Sequence, residues 1–101
     1  MIMLLSLTGL GISDAARIDT LLEQLQIDPN QPELWSQLAG AYLITKQYEK
    51  AITAYNYALT LDDQLLSWKG LGYAHLQEGD FENGILAHEE ALLLDPKGIK
   101  V

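Results

Sequence analysis

His75, His88 and a scatter of acids are the side chains of this 101-residue chain with the chemistry to hold a metal ion or move a proton. His88-Glu89-Glu90 sets an imidazole beside two carboxylates in sequence, but neighbours on a helix point in different directions. His75 and His88 each fall on an apolar stripe and are expected to pack rather than titrate. Asp62-Asp63 pairs carboxylates where a helix should end, a position usually solvated. Cysteine is absent, which removes disulfides, thiolate metal sites and cysteine nucleophiles together. Gly70-Leu71-Gly72 lies inside a helical pattern, where glycine serves close packing, and is not a phosphate loop. No nucleophile stands with a base and an orienting group. An enzyme, a cofactor and a metal are therefore not expected.

Composition narrows the partner. Nearly half the residues are apolar and a fifth are charged, enough for one small folded domain and too apolar for disorder. The 14 acids against 6 bases give a formal charge of -8. Phosphate backbones are bound through lysine and arginine, so nucleic acid is not an expected partner, and neither is an anionic membrane surface. The acids are spread along the chain, as on a solvated surface.

Residues 1–13 form an apolar N-terminal segment, too short to span a bilayer, which takes about 20 apolar residues. As a secretory signal, Leu4–Ile12 would be the apolar stretch and Ser13 and Ala15 the small residues near a cleavage site, but no lysine or arginine precedes it. The alternatives are packing on the first helix or a remnant of a longer chain. The expected location is cytoplasmic, or periplasmic or membrane-associated if the segment is a signal or anchor remnant.

The elements that would position a binding surface come from a repeat. Trp35 and Trp68 stand 33 residues apart. At the same offset Leu38 meets Leu71, Ala41 meets Ala74, Leu43 meets Leu76, Glu49 meets Glu82, Ile52 meets Ile85, Ala54 meets Ala87, Ala58 meets Ala91 and Leu59 meets Leu92. Apolar residues recur at helical spacing within each unit, twice, on either side of a polar break. Pro32 suits a first helical turn. Gly79 suits a left-handed helix end and Asp80 an N-cap, while Asp95-Pro96 stops the last helix. Before these units, Ile18, Leu21, Leu22 and Leu25 trace half a unit from Ser13, a candidate N-cap, to Asp28-Pro29. Five helices are predicted, near 14–27, 32–44, 48–61, 65–78 and 81–94, with no convincing strand.

These residues resemble the tetratricopeptide repeat, whose signature runs Trp-x2-Leu-Gly-x2-Tyr, a turn, an alternation of aromatics and alanines, and a closing Asp-Pro. Trp35, Leu38, Ala39, Tyr42, Tyr48, Ala51, Tyr55 and Ala58 carry it in the first unit. Trp68, Leu71, Gly72, Gly79, Phe81, Ala91, Asp95 and Pro96 carry it in the second. The family's period is about 34 residues, and the residue missing here falls at Asp62-Asp63-Gln64, with Asp63 where proline is expected. His75 and His88 replace aromatics. Gly84 replaces alanine, at a cost of up to roughly 1 kcal/mol to the last helix. The resemblance implies an all-α fold of helical hairpins stacked into a short right-handed α-solenoid of about five helices. Its domain would cover 14–96: a half repeat at 14–29, repeat one at 32–63 and repeat two at 65–96, with 97–101 as a tail.

By the same resemblance the first helix of each unit lines a concave groove that takes a protein or peptide. Carried onto this chain, the groove residues are Glu33, Ser36, Gly40, Leu43 and Ile44, then Lys69, Tyr73, Leu76 and Gln77. A partner segment is expected to dock on Leu43, Ile44, Tyr73 and Leu76, with Lys69 as polar anchor, although the periodicity of Leu43 and Leu76 equally fits core leucines. Some family members clamp a C-terminal carboxylate with lysine and asparagine. Ser36, Gly40 and Gly70 occupy those positions here and supply neither group. After Asp95-Pro96 only Lys97–Val101 follow, too few for a capping helix. Leu86 and Leu93 are thus expected to be exposed, with self-association through them, burial against the chain's own N-terminal segment and truncation from a longer array as the alternatives. The chain is expected to be an adaptor or scaffold, with an assembly factor or chaperone for a secreted or membrane complex, and a structural oligomerisation unit, as the alternatives.

Overall fold

The computed structural model describes residues 13–96. Residues 1–12 and 97–101, and with them the expectations for the apolar N-terminus and the tail, lie outside these. Among the described residues the chain folds into five α-helices: α1 (Asp14–Ile27), α2 (Pro32–Ile44), α3 (Tyr48–Leu61), α4 (Leu65–Gln77) and α5 (Phe81–Leu94). None is long and apolar enough to cross a membrane.

Local signals set the helix ends. The Ser13 hydroxyl accepts from the Ala16 N–H at 3.1 Å and opens α1. Pro32 takes the first position of α2, where its missing N–H costs nothing. The Asp80 carboxylate accepts from the Asn83 N–H and opens α5. The Asn83 side-chain amide, which donates to the same carboxylate at 2.7 Å, and then that N–H hold its pKa below the usual carboxylate range, with a smaller contribution from His75, whose Nδ1 lies 3.6 Å away.

Both hairpin turns are built alike. Gly79 has φ +82° and Lys46, its counterpart at the repeat offset, has φ +59°. In each turn the next N–H reaches back five residues, Gln47 to the Tyr42 carbonyl and Asp80 to the His75 carbonyl, both at 2.8 Å. This left-handed closure satisfies carbonyls that the helix end leaves free. It also ends α4 at Gln77, one residue before the sequence pattern does.

Packing follows the chain. Each helix contacts the next, and α2 also touches α4. The hairpins α2–α3 and α4–α5 are therefore stacked, with the first helices of the two units side by side. Small residues sit where paired helices cross. Ala39 and Ala51 are fully buried in the first hairpin, and their counterparts in the second are Gly72 and Gly84. A Cβ on Gly72 would stand 3.2 Å from the Gly84 carbonyl oxygen and 2.8 Å from the His88 ring. The helix-propensity cost of Gly84 is thus set against a closer approach of α4 and α5, and His88 packs over Gly72.

The tryptophans tie each unit to the turn before it. Trp35 Nε1 donates to the Pro29 carbonyl at 2.7 Å. Trp68 Nε1 donates to the Asp63 carboxylate, so Asp63 replaces the expected proline with an acceptor of its own.

Candidate functional site

The side-by-side helices α2 and α4 leave one face of each uncovered. On α4 this face is Leu66, Lys69, Tyr73 and Gln77, spaced three and four apart so that they fall in one row; all four are exposed, Leu66 at 72%. On α2 it is Glu33, Ser36, Gly40 and Ile44, the same row 33 residues earlier.

The row is joined across the helices by a polar network. Ser36 and Ser67 share a short hydrogen bond between their hydroxyls. Gln64 Oε1 accepts from Ser36 at 3.4 Å, and Gln64 Nε2 donates to the Glu33 carboxylate at 3.4 Å. Ser67 is fully buried, so these bonds satisfy a hydroxyl that burial would otherwise penalise.

Between the helices lies an open depression of about 420 Å³, lined by Ser36, Gln37, Tyr55, Leu66, Lys69 and Gly70. Tyr55 comes from α3 and forms its floor. The Tyr55 ring crosses α4 at Gly70, where a Cβ would stand only 2.2 Å from Tyr55 Cζ. At the other side, a Cβ on Gly40 would be 3.8 Å from the Tyr55 hydroxyl. The residue is 6% exposed, and burial raises the pKa of the phenol, keeping it a neutral donor. Among the described residues its hydroxyl has no hydrogen-bond partner. Among the described residues Lys69 is the one cation lining the depression.

Two expected members are placed elsewhere. A Cβ built on Gly84 would come within 2.6 Å of the Leu76 side chain, so Leu76 fills the α4–α5 crossing. Leu43 packs on the core in the first hairpin. Both are half-buried rather than open groove residues, and for Leu76 the glycine opposite leaves the room. Conversely, Leu66 was legible and missed: the repeat offset pairs it with Glu33. Tyr55 as floor was not legible, since its reach depends on the absence of a side chain at Gly70.

His75 sits at the helix cap beside Asp80, and His88 lies over Gly72. No group of three or more His, Cys, Asp or Glu among the described residues converges as metal ligands would.

Residues 32–65 and 67–97 each match a family model described as tetratricopeptide repeat. The solved structure "Second TPR of Spaghetti (RPAP3) bound to HSP90 peptide SRMEEVD" is similar at TM-score 0.79 and 24% identity, covering 81% of this chain and 77% of that one. The structure "First TPR of Spaghetti (RPAP3) bound to HSP90 peptide SRMEEVD" is similar at 0.77 and 26% identity, covering 78% and 64%. The crystal structure of MamA is similar at 0.79 and 20% identity, covering 87% of this chain and 52% of that one. The chain thus spans from about half to about three quarters of these structures. A comparison with curated protein sequences finds no match.

Proposed function

The chain belongs to the tetratricopeptide repeat family, and from that premise we propose that its open α2–α4 face binds an extended segment of a partner protein. The observation that carries this is the Tyr55 floor. The buried Tyr55 ring lines a depression together with Ser36 and Lys69, and among the described residues its hydroxyl has no hydrogen-bond partner. Leu66 lines it as well, and Tyr73 and Ile44 are exposed further along the same α4 and α2 rows. A few placed polar groups among apolar surface is the composition of a site that orients a ligand while burying it.

The two RPAP3 structures are named for a bound HSP90 peptide, SRMEEVD. That acidic segment is not the ligand proposed here. With Ser36, Gly40 and Gly70 at the clamp positions and Lys69 as the one cation among the described residues lining the depression, little offsets the cost of desolvating several carboxylates. The segment proposed is neutral to weakly acidic, with one or two apolar side chains for Leu66 and Tyr73. Its main-chain carbonyls would accept from Tyr55 and Lys69. The role is that of an adaptor or scaffold.

The test compares capture from native extract by the wild type and by a Leu66→Ser, Tyr73→Ala double variant, with folding checked by circular dichroism. Both side chains are exposed, so the variant should fold. A partner held by the wild type and lost by the variant is expected, and a peptide from it should bind about tenfold or more weaker to the variant. A partner held equally by both would place the site off this face.

A further inference from the structure

Helix α5 is apolar on more faces than its own hairpin covers. Gly84, Ala87 and Ala91 are buried against α4. Phe81 (63% exposed), Ile85 (54%) and Leu92 line a second face, with His88 among them. Leu86 and Leu93, on the outer side, are exposed as the sequence suggests, where the first unit has Thr53 and Thr60. Exposed apolar side chains gathered on faces that a hairpin leaves open mark a surface that another element covers.

The repeat offset shows what belongs on the second face. Tyr48, Ile52, Tyr55 and Leu59 hold the same positions on α3 as Phe81, Ile85, His88 and Leu92 on α5. Helix α4 lies against α3: Gly70 seats the Tyr55 ring, and Ile52 and Leu59 pack on the core. The natural cover for α5 is therefore a helix in the orientation that α4 takes on α3.

Charge identifies the kind of helix. From Asp80 to Pro96 the chain carries Asp80, Glu82, Glu89, Glu90 and Asp95 and no lysine or arginine. A second copy of α5 would set acids against acids, which disfavours pairing. The helix that covers the equivalent face, α4, carries Lys69 and no acid. We propose that α5 docks a basic amphipathic helix of a partner protein on Phe81, Ile85 and Leu92, with a glycine or alanine of that helix seated at His88 as Gly70 is seated at Tyr55. This surface is separate from the α2–α4 depression, and the two proposals stand or fall independently.

The probe is a fluorescein-labelled synthetic helix of the Leu65–Gln77 sequence with Leu66→Lys, Tyr73→Lys and Gln77→Lys, titrated with the full chain by anisotropy. Saturable binding is expected, weakened by added salt. It should be about tenfold weaker in Ile85→Glu and in Phe81→Glu and unchanged in Leu86→Thr. Both glutamate substitutions fall at exposed side chains, and circular dichroism confirms that each variant is folded. Absence of saturable binding, or binding equal in wild type and Ile85→Glu, overturns the proposal. So does a concentration-dependent dimer in sedimentation that Ile85→Glu dissolves, because the occupant is then a second copy.

Discussion

Placing one methyl group at Gly70 tests the floor of the depression. In the interior of a helix, glycine to alanine ordinarily stabilises by about 1 kcal/mol, through propensity alone. At Gly70 the new Cβ would lie 2.2 Å from Tyr55 Cζ, 2.3 Å from its hydroxyl oxygen and 2.7 Å from Cε2. Ordinary carbon contacts begin near 3.5 Å, so the ring must move by roughly an ångström. Overpacking of this kind costs about 1–3 kcal/mol, and three ring atoms in overlap place Gly70→Ala toward the upper end. The other way out is for the ring to swing into the depression. That exposes on the order of 50–80 Å² of apolar surface, about 1–2 kcal/mol, and removes the hydroxyl from its place. Net destabilisation of about 1–2 kcal/mol is expected for Gly70→Ala, measured by urea unfolding with linear extrapolation. The same substitution in a Tyr55→Ala background should instead stabilise by up to about 1 kcal/mol, giving a coupling of about 2 kcal/mol between the two positions. Gly40→Ala is the internal control. Its Cβ would meet only the Tyr55 hydroxyl, at 3.8 Å, and the change should stabilise. Gly70→Ala and Gly40→Ala raising stability alike would refute the placement of the Tyr55 ring.

Three further outcomes follow from the turns and caps. Lys46 holds a left-handed conformation that costs a side-chain-bearing residue about 1 kcal/mol. Lys46→Gly should therefore raise stability by about 0.5–1 kcal/mol, while Gly79→Ala should lower it by about 1 kcal/mol or more; thermal melts of the two variants should move in opposite directions. The pKa of Asp80 is lowered in the folded chain, so its contribution is present above the unfolded carboxylate value, about 3.9. That contribution is lost as pH falls through the folded value. Asp80→Asn keeps an N-cap acceptor without the titration. The gap between its melting temperature and that of the wild type should thus narrow or reverse between neutral pH and about pH 3, and a constant gap would contradict the assignment. Finally, Trp35→Phe removes the hydrogen bond to the Pro29 carbonyl and trims the ring that meets Tyr57 edge-on at 4.4 Å. It should destabilise by about 1–2 kcal/mol, and a neutral result in urea unfolding would remove the tryptophan anchor from the account.

The hairpins were legible because their causes are local. Ser13, Pro32, Gly79 and Asp80 each act within a few residues of themselves, through a hydrogen bond or a backbone preference, so the helix ends could be placed from residue type alone. The one shift, the end of α4 at Gln77, comes from the closure of the turn around Gly79, a backbone property that the side-chain pattern does not record. Stacking was legible through the repeat, since a stripe that recurs 33 residues later must meet a similar neighbour. Lys69, Tyr73 and Gln77 could be put on one face for the same reason, helical spacing being a property of the single helix.

What spacing does not record is which side of a helix another helix takes. Leu43 and Leu76 sit beside Ser36 and Lys69 in the pattern, and their periodicity fits groove and hairpin equally. The space opposite decided it, because a glycine at position 84 leaves room that Leu76 fills. The Tyr55 floor is likewise a three-body fact: the ring belongs to α3, the gap to α4 at Gly70, and the opening to α2 at Gly40. The sequence by itself therefore determined the helices, their ends and their order, all of which rest on interactions a few residues long. Only the tertiary structure decided which side chains the stacked helices leave uncovered, because that depends on volumes meeting across helices that the chain brings together from far apart.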